Sequence, residues 1–273
     1  MKRAFRLAYD GTAFYGFQRQ PTAPTVEGTL FDALARLDVY DRDRWRPEGY
    51  AAAGRTDRGV SALAQTVALD CPDWLTPRAL NSELPADVRA WASAPVPDAF
   101  HATHDAVARE YTYHLYAPDA DADHAREALG TLAGSHDFHN LTPDTDGTER
   151  TLDASLAVDG PFLVVTARSD GFPRSFVRRL ATLLGELARG DRDLAFVERV
   201  LSTEELGGGD GIGAAAPEPL VLTDVEYPDV TFERDDRAAE SAREVFETRR
   251  VERETSARVA RSVRDGVGDS DSD

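Results

Sequence analysis

The sequence concentrates groups capable of catalysis in one short stretch, Ala53 to Ala62, which reads AGRTDRGVSA. Within it Arg55 and Asp57 lie two residues apart, and side chains at i and i+2 of an extended loop point to the same side. A neighbouring guanidinium favours the ionised form of a carboxylate, which can then act as a nucleophile or a base. Gly54 and Gly59 bracket these groups, and glycine permits positive φ and the close approach of another chain. The stretch is predicted to be either a substrate-binding loop or an arginine–aspartate pair that stabilises a surface turn.

Other chemical motifs lack the context that their chemistry needs. A G-x-G-x-x-A match at residues 209–214 follows a helical pattern and not a strand, so it does not predict a dinucleotide site. A P-loop is excluded because Lys2 is the only lysine. The pairs His101/His104 and His136/His139 have i, i+3 spacing without a further ligand motif beside them, and no G-x-S-x-G elbow supports a serine hydrolase. We therefore predict no metal site.

The first half of the chain supplies the elements that must position the loop. Alternating apolar and polar residues predict a half-buried strand at Lys2 to Tyr9, and a helix is predicted from Val26 with Thr25 as its N-cap. Further elements predicted here are a strand at 65–69, a helix at 76–84 and a strand at 88–94. Prolines at 95 and 97 then interrupt the pattern, so a first α+β subdomain is predicted at residues 1–104.

Residues 105–230 form the second predicted subdomain. Its predicted strands are 111–116, 151–158, 162–168 and 221–227, and its predicted helices are 122–132, 176–188 and 194–201. Two of these strands follow one another across the Asp159-Gly160 turn with no helix between them. Such a hairpin favours an antiparallel sheet over a doubly wound parallel one. The predicted fold class is therefore α+β, with mainly antiparallel sheets flanked by helices.

Composition adds a prediction about the environment. The 273 residues carry 49 acidic and 31 basic side chains, a net charge of −18, and all basic residues except Lys2 are arginine. Repulsion among surface carboxylates fades as the Debye length falls to about 3 Å near 1 M salt, so we predict a salt-rich cytoplasm. The alternative is an ordinary acidic solubility surface. One cysteine, no secretion signal and no membrane-length apolar run favour a soluble cytoplasmic protein.

Residues 231–273 differ in composition from the rest of the chain. They hold nine arginines and twelve acidic residues, few apolar side chains, and end in GDSDSD. A solvated helix over about 234–264, followed by disordered residues, is predicted for this charged tail. The alternative is an RNA-binding arm, but the local net charge of −3 disfavours it.

Seven ordered blocks between residues 3 and 228 resemble the TruA family of tRNA pseudouridine synthases. The GRTD-x-GV core resembles the catalytic loop of that family, and the segment YDGTAFYGFQRQ at 9–20 resembles its N-terminal block. The others are TVE at 25–27, LNSELP at 80–85, FHA at 100–102 leading into AREYTY at 108–113, the segment from Phe172 to Arg179, and AAAPEPL at 214–220. Such a series in one order is hard to obtain by chance.

The resemblance implies roles for individual residues. It makes Asp57 the catalytic aspartate with Arg55 beside it, Tyr111 the active-site tyrosine, Arg178 the arginine that pairs with the aspartate, and Leu220 the apolar residue near the uracil. Departures from the family pattern are confined to binding detail: Arg58 replaces the usual alanine, Ser61 the usual histidine, and Pro219 a frequent glycine. Arginines in or near the family blocks are expected to form a positive cleft for RNA phosphates: Arg19, Arg58, Arg109, Arg174, Arg178 and Arg179.

The resemblance further implies two ferredoxin-like subdomains with the active site in the cleft between them. It implies a homodimer that isomerises uridine in the anticodon stem-loop of tRNA, at positions 38, 39 and 40, and needs no cofactor. A rival hypothesis is a non-catalytic RNA-binding protein of the same fold, which would not require Asp57. A third is a metal-dependent hydrolase that uses the histidines.

Overall fold

The computed structural model describes residues 1–268 and consists of strands and helices in a mixed order. The strands are β1 Lys2–Tyr9, β2 Ala51–Ala52, β3 Ser61–Asp70, β4 Val88–Pro95, β5 Ala108–Tyr116, β6 Gly134–Asp137, β7 Glu149–Asp159, β8 Phe162–Ser169, β9 Leu220–Glu226 and β10 Glu233–Arg234. The helices are α1 Val26–Arg36, α2 Pro77–Asn81, α3 Ala122–Leu132, α4 Phe176–Ala188, α5 Leu194–Val200 and α6 Asp236–Gly268.

One sheet runs through both halves of the described chain. Its order is β10-β4-β1-β3-β9-β5-β8-β7-β6, and β2 pairs with β3 off this path. Neighbouring strands pair antiparallel except β3 and β9, which pair parallel through Ser61 with Val221 and Ala62 with Leu222. This pairing joins the sheets of the two halves into one. The α+β prediction with mainly antiparallel pairing is confirmed.

The two larger buried clusters each combine residues of this sheet with residues of helices. The first includes Leu30 and Leu34 of α1 packed on strands of the first half. The second includes Leu180 and Leu184 of α4 packed on strands of the second half. Tyr111 of β5 packs against both clusters, so it lies at their junction.

Most elements lie where the sequence predicts them, for local reasons. Thr25 caps α1, because its hydroxyl accepts a hydrogen bond of 3.2 Å from the amide of Gly28. The β7–β8 hairpin is confirmed, with Asp159 opposite Phe162 and Gly160 at φ +53° between them. Strand β3 begins at Ser61, earlier than predicted, because pairing with β1 reaches back to Ala62.

The predicted helix near the C-terminus is confirmed, but the prediction that it is solvated is wrong for its first part. Ala238 and Ala242 are buried there, since alanines four residues apart share one helix face and α6 packs against β4 and α2. The predicted disorder concerns the last residues, 269–273, which lie outside the described residues. Within the described part of the chain, no helix is long and apolar enough to cross a membrane.

Candidate active site

A cavity of about 710 Å³ opens between the loop after β2 and the start of α4. Its lining includes seven of the residues that the sequence predicts for the site: Arg55, Asp57, Arg58, Tyr111, Arg174, Arg178 and Leu220. They come from the catalytic loop, β5, the α4 region and β9, and the fold brings them to one cavity. The volume lies within the range of about 300 to 1,000 Å³ that is usual for ligand pockets.

The backbone of the catalytic loop is held from both sides before Asp57. The amide of Ala53 donates to the carbonyl of Thr66 at 2.8 Å, and the carbonyl of Thr56 accepts from the amide of Phe17 at 3.0 Å. The Thr56 hydroxyl also forms a hydrogen bond of 2.7 Å with the hydroxyl of Tyr9, at the end of β1. Burial raises the pKa of Tyr9, so this phenol stays a neutral partner.

The two glycines of the loop behave differently. Gly59 has φ +83°, and a Cβ there would lie 3.0 Å from the Pro217 ring, so the prediction of a special conformation is confirmed for it. Gly54 does not have positive φ, and a Cβ there would meet nothing within 4 Å. The expectation of positive φ is therefore wrong for Gly54, whereas the approach of another chain to it stays a prediction.

Asp57 is paired with a cation from α4. Its Oδ2 atom lies 3.3 Å from Nη1 of Arg178, and the aspartate side chain is 43% exposed whereas the arginine side chain is 18% exposed. Ser175 is the N-cap residue of α4 and donates a long hydrogen bond of 3.4 Å to the same oxygen. The carboxylate thus lies at the amino end of a helix, where the helix dipole also favours negative charge.

Arg178 also connects α4 to the segment before β9. Its Nε atom donates to the carbonyl of Ala215 at 2.7 Å, and its own carbonyl accepts from the amide of Ala215 at 3.1 Å. This reciprocal pair fixes the segment before β9 to α4. Leu220, the first residue of β9, is 5% exposed, and its amide donates to the Pro217 carbonyl at 3.0 Å. Leu220 is thereby held at the cavity as an apolar wall.

Tyr111 lies on β5 below the loop. Its ring meets the ring of Phe172 edge to face, with 5.4 Å between centroids. The pKa of the Tyr111 phenol is raised to about 12, chiefly by burial, with Arg109 lowering it and Asp57 raising it by smaller amounts. The cavity therefore presents a neutral phenol next to an aromatic ring, a surface suited to a planar base.

The charge of the cavity is opposite in sign to that of the whole chain. Four guanidinium groups, those of Arg55, Arg58, Arg174 and Arg178, face two carboxylates, those of Asp57 and Asp144. The guanidinium of Arg58 lies 4.2 Å from the centroid of the Tyr15 ring, and Arg174 pairs with Asp144 at 3.3 Å. Arg55 has no ion pair or side-chain hydrogen bond among the described residues and is exposed.

Three of the predicted cleft arginines are not brought to the cavity. Arg109 donates to the carbonyls of Ala53, Thr103 and Asp170. Arg19 donates to the Tyr40 hydroxyl at 3.2 Å, and Arg179 donates to the carbonyl of Ile212. Their guanidinium groups therefore connect backbone segments around the site, and a role of Arg19 and Arg109 in binding substrate stays a prediction.

The histidines do not assemble a metal centre in the described part of the chain. The rings of His101 and His104 lie 4.2 Å apart, centroid to centroid. Among residues 1–268 no group of three or more His, Cys, Asp or Glu side chains is placed to hold a metal ion. The metal-dependent hydrolase hypothesis therefore receives no geometric support from these residues.

Sequence reasoning did not single out two residues of the site. Ser175 has φ +58°, an uncommon conformation for a residue other than glycine, and no sequence pattern reveals it. Phe172 packs on Tyr111 from a different part of the chain. The sequence marked Phe172 only as the first residue of a family block and predicted no contact with Tyr111. Left-handed backbone at a residue that touches Asp57 is the kind of strain that gathers at functional sites.

The cavity combines a carboxylate paired with an arginine, further arginines and a partly buried tyrosine, an arrangement that can bind an anionic substrate. A family model described as tRNA pseudouridine synthase matches residues 128–228. The tRNA pseudouridine synthase A of Natronomonas pharaonis is 63% identical over 260 residues, which cover 94% of this chain and 97% of that protein. Its counterpart in Haloarcula marismortui is 55% identical and is covered over 97% of this chain and 100% of its own length.

The protein belongs to the tRNA pseudouridine synthase A family of isomerases, the TruA family. The resemblance found in the sequence is therefore confirmed. Among solved structures, a Cbf5-Nop10-Gar1 complex aligns over 81% of this chain and 58% of its own chain, with 11% identity and a TM-score of 0.37. That likeness is too weak to support an argument about this protein.

Proposed function

We propose that the protein isomerises uridine to pseudouridine in the anticodon stem-loop of tRNA, at positions 38, 39 and 40, with Asp57 as the catalytic group. Family membership supports pseudouridine synthase activity on tRNA, and the three positions come from the resemblance of the sequence blocks. The single observation that carries the proposal is the ion pair between Asp57 and Arg178 in a cavity rich in arginine.

The reaction breaks the bond between N1 of the uracil and C1′ of the ribose, turns the uracil, and joins C5 to C1′. The proton on C5 is lost and N1 gains a proton, so atoms and electrons balance without a redox partner. An ionised carboxylate can attack C1′, add to C6 of the uracil, or remove the C2′ proton. Each route requires Asp57 to be deprotonated and close to the sugar or base, which pairing with Arg178 favours.

Tyr111 and Leu220 are proposed to hold the uracil. The phenol lies next to Phe172 on one side of the cavity and Leu220 provides the apolar wall, so a detached uracil can turn without leaving. After C5 has bonded to the sugar, the proton on C5 must leave. A tyrosine beside the base can accept that proton if its own proton has been given up first.

The target uridine must leave its base stack to reach Asp57, which costs a few kcal/mol. We propose that Arg55 fills the space that the base vacates, because its guanidinium is exposed and unpaired among the described residues. Arg58 and Arg174 are proposed to contact phosphates on either side. Guanidinium groups form bidentate bonds with phosphate, which retain strength when high salt weakens counterion release.

The protein is further proposed to act in the cytoplasm, adapted to molar salt, as a homodimer in which one tRNA touches both subunits. Its net charge of −18 and its relatives from haloarchaea support the adaptation to salt. The dimer rests on the resemblance alone. Oligomeric state in solution, measured by light scattering in molar KCl with and without tRNA, tests it.

The experiment that tests the function is tritium release from tRNA labelled at uracil C5, in molar KCl. Wild type is expected to release tritium, and Asp57→Ala is expected to release none while it still binds the tRNA. Asp57→Asn keeps the shape without the charge and should also be inactive. Asp159→Ala removes an exposed carboxylate at the β7–β8 turn, outside the cavity, and serves as the matched control.

Binding without release by wild type would favour the rival hypothesis, a non-catalytic RNA-binding protein. Activity of Asp57→Ala near the wild-type level would contradict the assignment of Asp57. The modified positions are read from the same reactions, by mapping pseudouridines in tRNAs that carry a single uridine at position 38, 39 or 40.

A further inference from the structure

Helix α6 lies outside the matched family region, which ends at residue 228, and outside the sequence blocks that carry the resemblance. Its first part packs on β4 and α2 through Ala238 and Ala242. The helix then continues to the end of β1 that lies next to the catalytic loop. None of the residues that line the cavity belongs to α6.

Two arginines of α6 form ion pairs with acids of the body of the protein. Arg249 pairs with Asp87, before β4, and Arg253 pairs with Asp10, directly after β1. The two acids are themselves linked, because the amide of Asp10 donates to the carbonyl of Asp87 at 3.0 Å. The Asp10 side chain is only 6% exposed. Burial of a carboxylate is costly unless a cation or hydrogen-bond donors accompany it, so Arg253 compensates a charge that water cannot reach.

The second oxygen of Asp10 shapes the turn that follows β1. Its Oδ1 atom accepts from the Thr12 amide at 3.1 Å and from the Thr12 hydroxyl at 2.7 Å. The guanidinium of Arg253 also donates to the Thr12 hydroxyl, at 3.3 Å. Asp10, Thr12 and Arg253 therefore form one hydrogen-bonded group around the single turn of helix at Gly11–Ala13.

This turn lies directly against the catalytic loop. A Cβ atom on Gly11 would lie 2.0 Å from the carbonyl oxygen of Val60, so the two backbones touch. The Gly11 amide donates to the Ser61 hydroxyl at 3.1 Å, and the Gly59 amide donates to the carbonyl of Phe14 at 3.4 Å. The amide of Val60 in turn donates to the carbonyl of Asp57 at 3.2 Å.

We infer that Arg253 is a positioning residue: through its ion pair with Asp10, helix α6 holds the turn at Gly11–Ala13 against the catalytic loop and so fixes the place of Asp57. A displaced turn would release the contacts at Gly59 and Val60 and let the Asp57 carboxylate move relative to Arg178. Salt screens a buried charge less than an exposed one, so the buried Asp10 carboxylate still favours a neighbouring cation in molar salt. The consequence for catalysis rests on the proposed function.

The test compares Arg253→Gln with Arg250→Gln in the full-length protein in molar KCl. Arg250 is a matched control, because its side chain is 59% exposed against 58% for Arg253 and its ion pairs stay within α6, with Glu247 and Glu254. Arg253→Lys is the milder variant, since it keeps the positive charge but replaces Nη2, the one nitrogen that donates to both Asp10 and Thr12, by the ammonium of a different side chain. Two quantities are measured: hydrogen exchange of the amides in residues 57–61, and the single-turnover rate and Kd for tRNA.

The expected result is faster exchange in residues 57–61 for Arg253→Gln, together with a single-turnover rate lowered by about ten- to a hundredfold and an unchanged Kd. For Arg253→Lys, the exchange in residues 57–61 and the single-turnover rate are expected to lie between those of Arg253→Gln and wild type. For Arg250→Gln, both quantities are expected to equal those of wild type. A merely stabilising role would leave the rate of the folded enzyme unchanged.

Unchanged exchange in residues 57–61 of Arg253→Gln would overturn the inference. A weakened Kd with a normal rate at saturating enzyme would overturn it as well, and would show that α6 contacts the RNA instead. Absence of turnover by wild type would contradict the proposed function alone, because the exchange measurement would still decide whether Arg253 holds the loop.

Discussion

At the residue scale, Tyr111 shows how burial restricts the chemistry open to a side chain. Desolvation raises the pKa of its phenol to about 12 from the ordinary value of 10. The neutral form therefore persists above pH 10, and the phenolate becomes the main form only as the pH passes 12. A neutral phenol can donate a hydrogen bond to the uracil, whereas removal of the C5 proton needs the phenolate or a concerted transfer.

The first prediction concerns Tyr111→Phe. This change keeps the ring that faces Phe172 and removes the proton acceptor, so single turnover is expected to slow by about a hundredfold while the Kd for tRNA stays unchanged. Since the pKa is raised, the wild-type rate should keep rising with pH between 8 and about 11, and the rate of the variant should not. If wild type and Tyr111→Phe had equal rates and parallel pH profiles, Tyr111 would not act in proton transfer and would only stack on the uracil.

The sequence predicts some of these residues better than others. Arg55, Asp57 and Arg58 are neighbours in the chain, so their spacing alone indicates a common site. Tyr111, Arg178 and Leu220 come from three different elements and were reached only through the resemblance. The conformation of Ser175 could not be predicted, because its positive φ leaves no mark in the residue type.

At the element scale, the turn after β1 decides where the catalytic loop can lie. The sequence predicted β1 at Lys2 to Tyr9, directly before this turn. Contact between Gly11 and Val60 was not predicted, because the two residues are separated by a helix and a strand. Glycine is required at position 11 by this close approach and not by a positive φ, since Gly11 lies outside the positive-φ region.

The second prediction is that Gly11→Ala displaces the loop. The new methyl group would need the Val60 carbonyl to move by about an ångström, and a displacement of that size is expected to lower turnover by about a hundredfold. Overpacking of this kind also lowers the free energy of unfolding, by about 1 to 3 kcal/mol. Single-turnover rates and urea unfolding measure the two effects.

A matched control is Gly130→Ala, which makes the same change inside α3, where a Cβ would meet nothing within 4 Å. Alanine is favoured over glycine in a helix interior, so this variant should be at least as stable as wild type and equally active. Normal activity of Gly11→Ala would contradict the close contact between the turn and the loop.

At the scale of the whole molecule, two opposing charge distributions coexist. The chain carries a net charge of −18, while four arginines and two acids line the cavity. Ion pairs such as Arg36 with Glu83 and Arg42 with Asp32 are spread over the surface and leave an excess of carboxylates. Self-repulsion of these carboxylates opposes folding in dilute buffer and is screened in salt.

The third prediction is that the thermal midpoint of unfolding rises as KCl increases from millimolar to molar concentrations. The rate of tritium release should rise over the same range of KCl concentrations, because the cavity forms only in the folded protein. A nonionic osmolyte of equal osmolality separates charge screening from the general exclusion of solutes, and it should produce a smaller rise. A midpoint that is indifferent to salt would contradict the predicted adaptation and favour the ordinary acidic surface.

Local information determined seven of the ten strands of the described residues, their helices and the catalytic loop, because alternation, capping residues and turn residues act over a few neighbours in the chain. The acidic surface and the family blocks were equally visible in the sequence. Tertiary structure alone decided that β3 pairs parallel with β9, which joins two halves into one sheet and brings Asp57 to Arg178. It also decided that α6 is anchored at Asp10, since pairing between distant residues depends on packing geometry and not on local composition.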